Sequence, residues 1–200
     1  MKIILAGTQK DLINEWKRFF KDVPFVSVYH GSIFDNPCDA IVSPANSFGF
    51  MDGGLDLALS KYLGWHIQER LQALIKSKYD GELLVGQAEI VATDNSHFPY
   101  LISAPTMRVP MVLKDSINPY LAMRAILLLI KKGKFEDNSL ISNTIKTVAI
   151  SGLGTGVGCV SPTMCARQMR IAVGQILLND IPFPNSWLDA REIHDVLMTN

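Results

Sequence analysis

Short apolar runs alternate along this chain with amphipathic stretches of helical period, and that alternation narrows the possible fold more than any other feature. KIILAG (2–7) is an apolar run closing on glycine, the pattern of a buried strand. TQKDLINEWKRFFKD (8–22) then sets Leu12, Ile13, Trp16, Phe19 and Phe20 on one helical face, with Thr8 and Asp11 as a capping start. FVSVYHGS (25–32) and CDAIVSP (38–44) read as strands. LDLALSKYLGWHIQERLQALIKSKY (55–79) reads as a helix broken at Gly64, and QAEIVAT (87–93) and YLISAPT (100–106) as two further strands. SINPYLAMRAILLLIKKGK (116–134) is a helix with proline near its first turn, and IKTVAISGLG (145–154) a buried strand running into glycines. SPTMCARQMRIAVGQILLN (161–179) has Ser161 as N-cap and Pro162 at the first helical position. A last helix spans SWLDAREIHDVLMTN (186–200), capped by Ser186. Strands alternating with helices predict an α/β fold, three layers deep, with a mixed central sheet between helices. No repeat, linker or low-complexity stretch divides the 200 residues, so they are read as one domain, 1–200.

Charge and cysteine content exclude several functions. Nineteen basic side chains balance nineteen acidic ones, so no basic field argues for nucleic acid or an anionic membrane. Near-zero net charge is compatible with a homodimer. Cys38, Cys159 and Cys165 are odd in number and match no zinc spacing, and His30, His66, His97 and His194 are scattered. Neither metal nor cofactor is therefore expected, and the thiols are read as reduced and mostly buried. MKIILAGTQKD has too few apolar residues for a secretion-signal core. The apolar run in AMRAILLLIKKGK falls far short of the ~20 residues a membrane span needs. The expected location is cytoplasmic.

Two loops stand out. SPANSFGFMDGGLD (43–56) follows a short apolar strand and carries Asn46 and Asp56 with Gly53 and Gly54 between them. SGLGTGVGCVSP (151–162) has glycines at 152, 154, 156 and 158. Both follow strands and lead to helix N-termini, where ligands of open α/β sheets bind and free N–H groups favour anions. Alternating glycines are read either as a tight connection or as a nest for phosphate oxygens, and the nest is preferred. The loop is not a P-loop, because no Gly-Lys-Ser/Thr follows, and its spacing is not that of a dinucleotide fingerprint. Asp56 is either a charge that complements the helix dipole or the carboxylate that holds a water; the dipole keeps it ionised in both cases. Asp52 is a turn residue or a second carboxylate. Phe48, Phe50 and Met51 either line a pocket or anchor the loop. Arg108 either reaches a phosphate or is solvated.

GSIFDNPCDAIVSPANSFGFMDGGLDLALSKYLG, together with AISGLGTGVG, resembles the macro domain family over about residues 26–180. The resemblance implies that the chain binds ADP-ribose or a derivative, with an ADP-ribosylated protein as a possible partner, and that it hydrolyses an ADP-ribosyl linkage without metal. The alternative is a non-catalytic reader of the same ligand. By the resemblance, Asn46 contacts the distal ribose and Asp56 orients the attacking water. Ile33, Ala45, Asn46, Gly53, Gly54 and Leu55 line the ligand, and Gly154, Thr155, Gly156, Val157 and Gly158 form the diphosphate loop. The chain departs from the family at three positions. Ser32 stands for the Asp that contacts adenine, with Asp39 nearby in sequence. Ser43 stands for the first Asn of Asn-Ala-Ala-Asn, and Gly158 for an aromatic residue. The second loop is closest to the branch that acts through a lysine, but it lacks that branch's acidic residue and no lysine matches.

Overall fold

The computed structural model describes residues 1–180 and 183–199. Its strands are β1 (Lys2–Gly7), β2 (Val26–His30), β3 (Ala40–Ser43), β4 (Glu89–Ala92), β5 (Tyr100–Ser103) and β6 (Thr147–Ile150). They form one sheet in the order β2-β1-β6-β3-β5-β4. All neighbours are parallel except β4, which pairs antiparallel with β5 at one edge. The sheet is mixed, as the sequence predicts. The helices are α1 (Lys10–Phe19), α2 (Gly54–Leu63), α3 (His66–Lys78), α4 (Asn118–Lys132), the short α5 (Ile141–Thr144), α6 (Pro162–Val173) and α7 (Trp187–Met198). None of them is long and apolar enough to cross a membrane.

Strand alternation creates the layers. Ala40 and Val42 of β3 face one core and Ile41 the other; Val148 and Ile150 of β6 oppose Ala149 in the same way. One core holds α1, α4 and α6 and the other holds α2 and α3, so the sheet lies between two helical layers. β1 supplies both cores, with Ile3 and Leu5 on one side and Ala6 on the other. The N-terminal strand and helix lie outside the segment that resembles the family, yet β1 sits inside the sheet between β2 and β6.

Several local readings hold and one does not. The side chain of Ser161 accepts from the Met164 N–H and that of Ser186 from the Asp189 N–H, as N-caps should. Gly64, at φ +100°, breaks the 55–79 stretch into α2 and α3. The Thr8 cap is wrong: α1 begins after Gln9 and has no side-chain cap. The helix from Ser161 ends its α-helical part at Val173 and continues as a π-helical turn, Gly174–Leu178. The last helix stops at Met198, and residue 200, where the sequence reading ends it, lies outside the described residues. Fully buried Gln168 ties the α4–α6–α7 corner together, donating to the Ser116 and Leu197 carbonyls and accepting from the Tyr120 N–H.

Candidate functional site

Because five strands are parallel, their carboxyl ends share one edge of the sheet, and the unusual loops leave from it. The first loop is held along one side by irregular pairing with the segment after β5. The Ala104 N–H donates to the Ser43 carbonyl, Thr106 N–H to Ala45, and Ser47 N–H to Arg108, at 3.0–3.1 Å. Asn46 then turns the chain. Its Oδ1 accepts from the N–H groups of Phe48 (3.1 Å) and Phe50 (3.2 Å), while Nδ2 donates to the Phe50 carbonyl (2.8 Å). The amide that the resemblance assigns to the ribose is thus largely spent on its own loop, with one Nδ2 hydrogen left over. Met51 fixes the far side: its side chain is fully buried, its N–H donates to Gln68 Oε1, and its carbonyl accepts from Ser60 Oγ.

The loop ends at two glycines. Gly53 is the N-cap of α2, and Gly54 has φ +54°. A Cβ at either would meet nothing within 4 Å, so both backbones border open space. The first helical bond of α2 runs from the Leu57 N–H to the Gly53 carbonyl. The N–H groups of Gly54, Leu55 and Asp56 therefore have no intrahelical acceptor.

Asp56 is half-buried in that first turn, and its Oδ1 accepts a 2.6 Å hydrogen bond from Ser43 Oγ at the end of β3. Burial pushes the carboxyl up to about 6; the Ser43 bond opposes this and the charge of Asp52 adds to it. The carboxyl is thus less firmly ionised than the dipole argument alone implies.

In the second loop the glycines divide by role. A Cβ on Gly158 would stand 2.5 Å from the Gly154 carbonyl oxygen and 2.9 Å from Leu113, and one on Gly152 would stand 2.6 Å from Leu12. Packing requires Gly158, whose nearest neighbour is backbone, whereas the neighbours of Gly152 are the ends of the Thr155 and Leu12 side chains. Gly154 has φ +72°, where glycine is unstrained. A Cβ on Gly156 would touch nothing within 4 Å. Cys159 N–H donates to the Gly156 carbonyl and Val160 N–H to that of Gly154, closing the turn. Among the described residues, the N–H groups of Thr155, Gly156, Val157 and Gly158 donate to no protein acceptor.

Both loops open onto one cavity of about 440 Å³. Ile33, Ala45, Asn46, Gly53, Gly54, Leu55 and Asp56 line it together with Gly154, Thr155, Gly156, Val157 and Gly158. The structure thus brings together every residue assigned to the site from the sequence. Asp52 and Asp56 are its only ionisable lining residues among those described.

A family model, "Macro domain", matches residues 42–169. The chain belongs to the macro domain family. An uncharacterized protein of Aquifex aeolicus (strain VF5) is 35% identical over 144 residues, 72% of this chain and 78% of that one. The fold is also that of solved macrodomains. The macrodomain of Mycobacterium tuberculosis DarG superposes with TM-score 0.60 at 16% identity, covering 88% of this chain and 92% of that one. A mutant of the Oceanobacillus iheyensis macrodomain, determined with ADPR, superposes with TM-score 0.61 at 17% identity, covering 84% and 88%.

This macro domain has lining residues that the sequence reading passed over. Ala6, Gly7, Thr8, Gln9 and Leu12 bring the β1–α1 junction into the cavity, and Thr106, Met107 and Pro110 bring the segment after β5. The available signal was positional: each follows the carboxyl end of a parallel strand. Other candidates fall elsewhere. Arg108 is absent from the lining, paired with Glu82 at 2.7 and 3.2 Å and laid over the Phe48 ring. Asp39 accepts from the Lys146 and Thr147 N–H groups at the start of β6, the opposite end of the sheet. Ser32 does line the cavity, where it caps the 3₁₀ turn Ile33–Asp35. Of the three aromatic or thioether candidates, Phe50 lines the cavity, Met51 anchors the loop, and Phe48 carries Arg108. Cys38 and Cys165 are buried, but Cys159 is exposed, because it occupies the turn at φ +53°. Among the described residues no group of three or more His, Cys, Asp and Glu could hold a metal ion.

Proposed function

We propose that this macro domain binds ADP-ribose or a close derivative in the cavity and hydrolyses an ADP-ribosyl ester there. One observation carries the binding reading. Gly54, Leu55 and Asp56, and Thr155 to Gly158, whose N–H groups have no protein acceptor among the described residues, line one cavity that no cationic side chain lines. Unclaimed backbone donors beside open space suit a diphosphate, whose oxygens accept many hydrogen bonds at once. The remaining Nδ2 hydrogen of Asn46 is available to a ribose hydroxyl.

The hydrolytic reading rests on Asp56. A carboxylate that titrates near 6 is mostly ionised at neutral pH and still basic enough to take a proton. In the proposed step a water oxygen bonds to the anomeric carbon of the distal ribose as the bond from that carbon to the ester oxygen breaks. The substrate's carboxylate leaves, and Asp56 accepts the water's proton.

Single-turnover release of ADP-ribose from a mono-ADP-ribosylated acidic peptide tests it. Asp56→Ala is expected to lower kcat by roughly 10²–10⁴-fold, the usual worth of a general base, with ADP-ribose affinity nearly unchanged. Wild-type protein that binds ADP-ribose but releases none would make it a reader instead. Full activity in Asp56→Ala would move water activation to Asp52 or to the substrate's own phosphate.

A further inference from the structure

Beneath the first turn of α2, the buried end of β3 reaches Asp56. Ser43 is the last residue of β3 and is fully buried. Its backbone is locked: it stands opposite Ser103 in the parallel ladder, and its carbonyl accepts from the Ala104 N–H at 3.0 Å. Its hydroxyl donates to Asp56 Oδ1 at 2.6 Å, across thirteen residues of sequence. Among the described residues Oδ2 of Asp56 has no hydrogen-bonded protein partner, so it is the oxygen left for a water. Ser43 itself does not line the cavity.

We propose that Ser43 is a positioning residue that anchors one oxygen of Asp56 to the sheet and so presents the other to the attacking water. The proposal rests on the reading of Asp56 as the base. A strand residue with a two-atom side chain has little freedom, so the carboxylate inherits the rigidity of the sheet. A helix-terminal Asp without such a tether would sample several rotamers. The bond also favours the ionised form against burial. Few other charges act on Asp56. β3 carries none, and His66, Glu69, Arg70, Lys76 and Lys78 of α3 lie outside the cavity lining. Lys61 and Tyr62 lie on α2 itself, also outside the lining, and Asp52 is the other acidic side chain in the lining. Ser103 supplies an internal comparison: it is equally buried, one strand over, but its hydroxyl has no partner among the described residues.

The test uses the full chain and two readouts: the carboxyl carbon-13 titration of Asp56, and the pH dependence of ADP-ribose release. Ser43→Ala is expected to raise the Asp56 midpoint by about one pH unit, the worth of a lost hydrogen bond to a charged group. It should lower plateau kcat by roughly 10–100-fold while KM stays near wild type. Ser43→Thr should restore the midpoint, and Ser103→Ala should leave it in place. If Ser43→Ala does not fold, Ser43→Cys keeps the volume with a weak donor and should still raise the midpoint. An unmoved Asp56 midpoint in the folded Ser43 variants, or an equal movement in Ser103→Ala, overturns the proposal. A wild-type rate with no limb at the Asp56 midpoint defeats the base reading alone, because the carbon titration still reports whether Ser43 governs Asp56.

Discussion

Asp56 is where residue-scale chemistry and stability meet. Its folded midpoint of about 6 lies above its ordinary 3.8, so between those values the native state holds a proton that the unfolded state has lost. The sign follows: stability from this group is fully present below about pH 4, declines as pH rises toward 6, and is flat above. Asp56→Asn keeps an acceptor for Ser43 but cannot ionise. Relative to wild type it should gain nothing at pH 4 and at most about 3 kcal/mol above pH 6.5. Denaturant midpoints of both proteins across pH 4–8 measure this, and a pH-independent difference would mean that the carboxyl is not desolvated. The identity and ten-residue spacing of Asn46 and Asp56 were legible in the sequence. The commitment of Asn46 to its own loop was not, because the N–H groups it binds are two and four residues away in a conformation only the folded loop adopts. Nor was Ser43 legible as a partner, since its bond to Asp56 closes only when β3 and α2 pack.

Among the elements, two of the three helix starts assigned to a short polar side chain were read correctly, and so was the break at Gly64. Ser161 and Ser186 cap as their sequence implies, because N-capping is a local hydrogen bond. At α1 the Thr8 signal fails: the N-cap is Gln9, without a side-chain cap, and the Thr8 carbonyl lies 3.3 Å from His30 Nε2. The glycine loop shows the same division. Its periodic glycines were visible, but which ones serve packing depends on Leu12 and Leu113, brought from distant segments. This distinction predicts opposite outcomes. Gly156→Glu should fold normally and abolish ADP-ribose binding, since the side chain enters open space and carries a negative charge. Gly158→Ala should cost about 1–3 kcal/mol of stability from overpacking. Thermal melts with and without ligand separate the two. Normal ADP-ribose binding by Gly156→Glu would make residues 152–158 a structural turn only.

For the whole molecule, the proposed ligand bridges parts of the chain about a hundred residues apart, so binding should stabilise the fold as a unit. ADP-ribose is expected to bind with about micromolar affinity, near −8 kcal/mol, equally with and without a chelator. At a hundredfold excess over Kd the gain is about 2.7 kcal/mol, a melting rise of roughly 5–10 °C for a chain of this size. Calorimetry with ADP-ribose, ADP and NAD in parallel ranks the ligand's parts. An absence of both heat and melting shift would remove ADP-ribose as the ligand.

By itself the sequence determined the alternation of strands and helices, and with it an α/β sandwich. Period-two and period-3.6 burial are properties of the chain read one window at a time. It also marked the two loops, since runs of glycine and isolated polar groups after apolar strands stand out from any core pattern. Only the tertiary structure decided that β1 lies between β2 and β6, which brings the β1–α1 junction into the cavity. Strand order depends on which apolar faces pack over long separations, and no local pattern records it. The same holds for Arg108, which pairs with Glu82 and is absent from the cavity lining, and for the carboxyl of Asp56. The charge state of a buried group is set by what surrounds it, and here the surroundings come from β3, α2 and the turn between them.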